Sequence, residues 1–491
     1  MMKKTGRMPA YLTVYLALTL GIMTTLCLAL IEGSRYSAFQ LESVCIADAC
    51  MDSVMAEYHR ELFRRYNLLA VDLSYGTEYA SRTNLEGRLA WYLDLNLQKP
   101  ADNKLEQFTN VRYKDFLRMR LENANVTEYS LLTDFNGAVF RRKAAEAIRD
   151  DLGLEAMQEA IEWMKLVRNY HMDSWDVEAQ KRAVDEQIAA YQGKEVTGQD
   201  GETVALDFEN PTVTVENQKK IGILWQVMGE MPVSGKAVLN SNLVRQRRKN
   251  GNVSLGNLPL EAEDALQEFA EDILFVEYLR AYLGCYDHPT VGSALDYELE
   301  YVIAGKSSDA SNLHDTLLRL LALREAANAT YLYSDGTKRE EADLVALALS
   351  TLLGVPELQG LFQTSILLGW AYAESVHDLR VLIRGGKVPL MKSSGTWYYG
   401  LDSVLQGMWD LQGTSEERPG LSYQDYLRIL LLMGDKREQS YRAMDVMEAN
   451  LRLTAGNKTF RMDACCVGIK TRIALESAYG YRQELWEEKK Y

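Results

Sequence analysis

The amino-acid sequence predicts an α+β fold, predominantly α: an N-terminal transmembrane helix continuing into a long amphipathic helix, then a mixed ectodomain with a helical, bundle-like C-terminal part. Three observations carry this expectation. From Pro9 to Ile31 there is no Asp, Glu, Lys, Arg or His. Beyond that run, apolar residues recur at steps of three or four through Val44, Ala47, Met51, Met55, Tyr58, Leu62, Tyr66 and Leu69. Residues 261–455 then hold several segments that are apolar nearly all round, as buried helices of a bundle are, whereas two-residue alternation is confined to short stretches.

The span comes first. At ~1.5 Å per residue, Pro9 to Ile31 is long enough for the ~30 Å hydrocarbon core of a bilayer. A cleavable secretory signal has a shorter apolar region that ends in a small-x-small site. Here Cys27-Leu28-Ala29, the nearest approach to such a site, lies inside the apolar run. The expectation is therefore a retained anchor over residues 9–31. Lys3, Lys4 and Arg7 precede it and only Arg35 closely follows, so the positive-inside rule puts residues 1–8 in the cytoplasm and the rest outside the cell membrane, as an extracellular domain.

Past Ile31 no proline interrupts the helical pattern, and residues 32–70 read as the exported continuation of the helix, with Val44, Met51, Met55, Tyr58 and Leu62 forming its packing stripe. Residues 71–217 read as mixed α+β. A helix around Leu85 to Leu97 ends at Pro100, strands fall between Arg112 and Asp134, Asn136-Gly137 makes a turn, and Val139 to Tyr170 is helical. Residues 218–260 are a loop-rich connection and 261–455 mostly helical. Within the latter, Leu361 to Ile383 is long enough to span a membrane, but Glu374, His377, Asp378 and Arg380 make that costly and assign it to a protein core. Residues 456–491 read as a C-terminal strand region carrying the alternation Val467, Ile469, Thr471, Ile473 and Leu475.

Composition narrows the function. With 69 acidic against 54 basic residues the chain carries a formal charge of -15, which repels nucleic acid and anionic surfaces. One cluster, Arg245, Arg247, Arg248 and Lys249, runs the other way and reads as a solvated loop or a contact for an anionic envelope polymer. Of the six cysteines, five lie beyond the span, an odd number that weighs against a simple disulfide framework and favours small core residues, with a bridge from Cys465 or Cys466 to a distant partner as the alternative.

No catalytic, cofactor-binding or metal-binding motif emerges. Gly305-Lys306-Ser307 reproduces the end of a phosphate-binding loop, but the first glycine of that pattern falls on Glu300; Gly305 reads instead as a helix C-cap, with Ser307, Ser308 and Asp309 opening the next element. Neighbouring residues on a helix point about 100° apart, which argues against His314–Asp315 or His377–Asp378 as acid–base dyads. The segment "GGKVPLMKSSGTWYYG" is different in kind: Gly385, Gly386, Lys387, Pro389, Trp397 and Tyr398 form a candidate interaction loop, whose aromatics could alternatively cap the helical core.

Several blocks, in order, carry a resemblance: "YLTVYLALTLGIMTTLCLALIEGSRYSA", "AEYHRELFRRYNLLAVD", "SLLTDFNGAVFRRKAAEAI", "YELEYVIAGKSSDASNL", "GGKVPLMKSSGTWY" and "LSYQDYLRILLLM". Together they resemble an uncharacterised family of bacterial, mainly Gram-positive, single-pass membrane-anchored surface proteins that tend to be encoded beside components of tight-adherence (Tad) pili. The resemblance implies pilus or secretion-apparatus subunits as partners and supplies no catalytic residues. The N-terminus is also similar to that of a minor pilin or pseudopilin. It departs at Tyr11, five residues after Gly6, where prepilin-like sequences place glutamate; Glu32, beyond the span, cannot substitute.

The expectation is thus a non-enzymatic, membrane-anchored structural or assembly component, minor pilin-like or pseudopilin-like, of a Tad-type pilus or related secretion apparatus. Its partners would be the membrane and apparatus subunits, with envelope polymer a further candidate and nucleic acid excluded; no cofactor is expected. The alternatives are a cell-wall polymer hydrolase, which a cleft with two close carboxylates would favour, and a ligand-binding or sensor ectodomain, which a deep polar pocket would favour.

Overall fold

The computed structural model describes residues 10–77, 79–97, 117–149, 154–169, 172, 174–197, 203–238, 242–261, 265–407 and 419–491. Pro9, Pro100 and the segment before Leu117 lie outside them. Helix α1, Ala10–Met55, is continuous over 46 residues, about 70 Å at the usual helical rise. Its apolar window has a mean hydropathy of 2.2 and is not buried by the rest of the protein; among the described residues this is the one helix long and apolar enough to cross a membrane. From Phe39 onward one side of the same helix is covered: Phe39, Ser43, Ala47, Cys50 and Val54, three or four residues apart, are all buried.

The expected helix over residues 32–70 is overturned at its end, because α1 stops at Met55. Tyr58 bridges to Val71, Glu57 is drawn to Arg88 and Tyr92, and the His59 ring accepts the Leu62 N–H to cap a separate helix α2, Arg60–Tyr66. Asn67, left-handed at φ 51°, ends α2. The helical spacing continues through this break, so the turn is imposed by tertiary partners and not by a breaker residue.

A sheet platform receives the packed half of α1. Strand β5, Cys465–Ser477, is its centre; β2, Met119–Leu131, pairs with it antiparallel on one side, and β6, Arg482–Lys490, on the other. The two-residue β1, Val71–Asp72, joins at the start of β5. Helix α3, Arg82–Leu97, lies beside α1 on the sheet, burying Leu85, Leu89 and Leu93 with Met51 and Val54 against Ile469, Ile473 and Leu475. Strands expected between Arg112 and Asp134 are, over the described part, the single long β2.

The helical body carries most of the chain. Helix α4, Asp134–Ile148, opens with Phe135, Asn136 and Gly137 at positive φ, the turn that the Asn-Gly pair predicts. Helix α5 is Leu154–Asn169, so the helix expected across Val139 to Tyr170 is two helices. Helix α6, Val177–Ala189, is followed by the hairpin of β3, Glu195–Thr197, and β4, Thr203–Ala205. Three short helices follow: α7, Val213–Lys219, α8, Ile223–Met228, and α9, Val244–Lys249. The bundle proper comprises α10, Ala265–Tyr282; α11, Glu298–Ala304; α12, Asp309–Ser334; α13, Gly336–Leu353; α14, Leu358–Ile383; the short α15, Leu401–Leu405; α16, Tyr423–Met433; and α17, Lys436–Arg452. Helix α14 is buried without interruption from Ser365 to Ile383, ionisable residues included, which makes it a core helix. Strand β5 serves both cores: Cys465 and Val467 join the body, Cys466 and Ile469 the platform.

Candidate functional site

On α1 the stripe residues divide. Met51 and Met55 are buried in the platform, with the Met51 sulfur accepting a bond from the Thr471 hydroxyl at 3.4 Å. Leu62 is buried in the body, on α2, and Tyr58 is half-buried in the break. Val44 is 41% exposed, a correction to its place in the packing stripe. The buried line runs through Ser43, Ala47 and Val54, which leaves Val44 on its flank.

The candidate interaction loop is built into the body. Lys392 forms ion pairs with Glu374 and Asp378, both at 2.6 Å, and all three are buried. Glu374 accepts the Tyr398 and Tyr399 N–H groups at 2.9 and 3.0 Å. The indoles of Trp370 and Trp397 both donate to the Tyr399 carbonyl at 2.8 Å, and Tyr398 stacks on His377 with ring centroids 3.8 Å apart. Arg324, from α12, donates to Asp378 at 2.8 Å and to the loop carbonyls of Pro389 and Leu390. Burial alone would raise the Asp378 carboxyl, but the Lys392 and Arg324 charges outweigh it and hold Asp378 below the usual carboxylate range.

Of the loop residues singled out in the sequence, Trp397, Tyr398 and Pro389 are half-buried. A side chain on half-buried Gly386 would meet Val381 at 2.6 Å. Gly385, with φ at 82°, and Lys387 are exposed, so the aromatic contact area is used internally and the surface left to a partner is Lys387 with Ser393 to Gly395.

The basic cluster is likewise partly internal. Arg247 is 1% exposed and donates to both Glu448 oxygens at 2.8 Å and to Asp463 at 2.7 Å, tying α9 to α17 and to the turn Met462–Ala464 that leads into β5. Arg248 pairs with Glu438 and lies over the Tyr441 ring. Arg245 and Lys249 meet the Gly305–Ser307 segment in a pocket of about 150 Å³, with Tyr301 and Asp445 among its lining residues. Two features that look unrelated in the sequence therefore form one cationic rim. Gly305 is the left-handed C-cap of α11 and Ser308 caps α12. Burial pushes Asp445 up to about 7.

Cys285, Asp287 and His288 hold a sulfur, a carboxylate oxygen and a ring nitrogen within 4.8 Å of one another, a donor set of the kind zinc accepts. They already satisfy one another: the thiol donates to Asp287 at 2.9 Å, and the His288 ring lies 3.3 Å from the same carboxylate. Burial, with the charges of Glu300 and Asp287, keeps Cys285 protonated. All six cysteines are free thiols. His314 does reach Asp315, at 3.2 Å, despite the angular argument against adjacent pairs; both residues are half-buried. Sequence reasoning missed the Lys392 and Arg247 networks. The charged residues inside the apolar α14 segment were the visible trace of the Lys392 network, and the basic run at Arg245–Lys249 that of the Arg247 network.

The model of a family of unknown function, DUF5702, matches residues 202–477. The chain belongs to this family. The match runs from just before β4 to the last residue of β5, so the DUF5702 region contains the body's helices from α7 to α17, both buried charge networks and the strand that joins body to platform. Helices α1 to α6 and strands β1 to β3 lie before it. No curated protein and no solved structure matches the chain.

Proposed function

We propose that the protein is a non-enzymatic, membrane-anchored surface component that takes a structural or assembly role in a Tad-type pilus or related secretion apparatus, with its N-terminus cytoplasmic and its body outside. The observation that carries this reading is the division of α1: one half apolar and uncovered, the other half buried on an antiparallel sheet within the same unbroken helix. Such a helix cannot shift or turn without carrying the ectodomain with it, so the mechanism is positional. The body is held at a set orientation over the bilayer, where the exposed part of the Gly385–Gly400 loop and the cationic rim at Arg245 and Lys249 are available to subunits or envelope polymer. The aromatic and ionic groups that would otherwise suggest chemistry are engaged in holding the body together.

Crosslinking in intact cells followed by mass spectrometry tests the reading. Pilus or secretion-apparatus subunits are expected among the crosslinked products, enriched over those of an unrelated single-span protein. Equal recovery with that control would remove the apparatus from the proposal.

A further inference from the structure

The hairpin joining β5 to β6 lies at the membrane end of the platform. Its register runs from Gly468 opposite Lys490 to Glu476 opposite Arg482, and contacts with α1 descend in step. Lys489 reaches Asp48 and Asp52, each at 2.8 Å, whereas Tyr481 packs on Phe39 and Tyr36 and its hydroxyl bonds Glu32. The turn closes with the Gly480 N–H on the Ser477 carbonyl at 2.9 Å and Gly480 at φ 85°, the left-handed position that a three-residue hairpin loop reserves for glycine. Tyr479 is left outermost, 42% exposed, with the Arg35 guanidinium 4.3 Å from its ring centre.

The charge-free stretch ends at Ile31 and Arg35 follows four residues later on the same helix, a rise of about 6 Å. The headgroup layer of each leaflet is itself about 5–7 Å deep. The tip sequence Ala478-Tyr479-Gly480-Tyr481 therefore comes level with lipid headgroups. It carries no charge and two of the aromatic residues that favour that layer, beside a third, Tyr36, on the helix.

We propose that this hairpin tip is a second membrane contact, with Tyr479 and Tyr36 seated in the headgroup layer of the outer leaflet. The inference rests on α1 being a membrane anchor and adds to it. A lone helix fixes depth but leaves tilt to its surroundings, whereas a helix and a hairpin touching one bilayer define the tilt as well.

The test uses the full-length chain in vesicles of phosphatidylcholine and phosphatidylglycerol, with the exposed Cys27 and Cys45 replaced by serine; the other four cysteines are buried. A nitroxide on Ala478→Cys is compared with one on Val291→Cys, at a body position 99% exposed, and one on Leu28→Cys within the span. Relaxation by oxygen is set against relaxation by a water-soluble nickel chelate. The label at 478 is expected between the two references, favouring oxygen relative to position 291, and adding Tyr479→Asp is expected to return it toward 291. A label at 478 that matches 291 while 28 reads lipid overturns the inference and leaves the anchor standing. No movement on adding Tyr479→Asp overturns it too. If 28 also matches 291, the anchor reading falls and the inference with it.

Discussion

Lys392 stands between Glu374 and Asp378 with all three side chains inside the body, and Arg324 closes the far side of Asp378. Paired charges of this kind cost desolvation energy to assemble, but removing one member costs more, because a buried charge is then left uncompensated. Lys392→Met is therefore expected to destabilise the protein by about 3–5 kcal/mol, read as a lowered denaturation midpoint and release of the Trp397 environment in fluorescence. A shift corresponding to less than about 1 kcal/mol would mean that the loop is not held by this lysine. The sequence displayed the lysine and the aromatics side by side, and composition alone could not say whether they faced outward. What decides it is Glu374, eighteen residues earlier in the chain, whose two oxygens take up the loop's N–H groups.

Among the elements, α1 is the one whose first half is apolar and uncovered while its second half is buried on the platform. Met51 is buried between α3 and β5, so Met51→Asp places a carboxylate in an apolar layer with no cation supplied to meet it. The expected result is a loss of more than about 3 kcal/mol and protease sensitivity of the platform, whereas Val44→Asp, on the exposed flank, is expected to be close to neutral. Helices were legible because three- and four-residue spacing survives in the packed half of α1 and in α3, and because α14 is a long, nearly unbroken apolar run. The end of α1 was not, since the spacing runs on through Tyr58 and Leu62 and the break is made by partners far away in the chain, such as Asn457 on His59 and Arg88 on Glu57. Alternation marked β5 as a strand, but not its place at the centre of the sheet.

Over the whole molecule, burial raises several carboxyls together. Glu300 moves from 4.5 to about 7, Asp445 from 3.8 to about 7, and Glu325 from 4.5 to about 8. Each holds a proton in the folded state that the unfolded chain gives up, so the stability they contribute is complete below their ordinary values and lost as pH rises through 7 and 8. Asp378 and Asp463 act with the opposite sign, but their folded values lie below 3.8, outside this window. The thermal midpoint is therefore expected to fall between pH 5 and pH 8, each raised carboxyl steepening the decline by up to ~1.4 kcal/mol per pH unit. Glu325→Gln should flatten that decline without lowering the midpoint at pH 8. A midpoint that rises across the interval would contradict the burial argument.

Strand β5 is made nearly four hundred residues after its partner β1, and both hydrophobic interiors borrow side chains from it. Neither interior can seal until that late segment has been made, so the earlier portion must wait, part-assembled, until synthesis reaches it. A chain interrupted shortly before Cys465 should thus forfeit the platform and the body alike, and any helper that shields newly made protein would be needed for the entire interval, not for one portion of it.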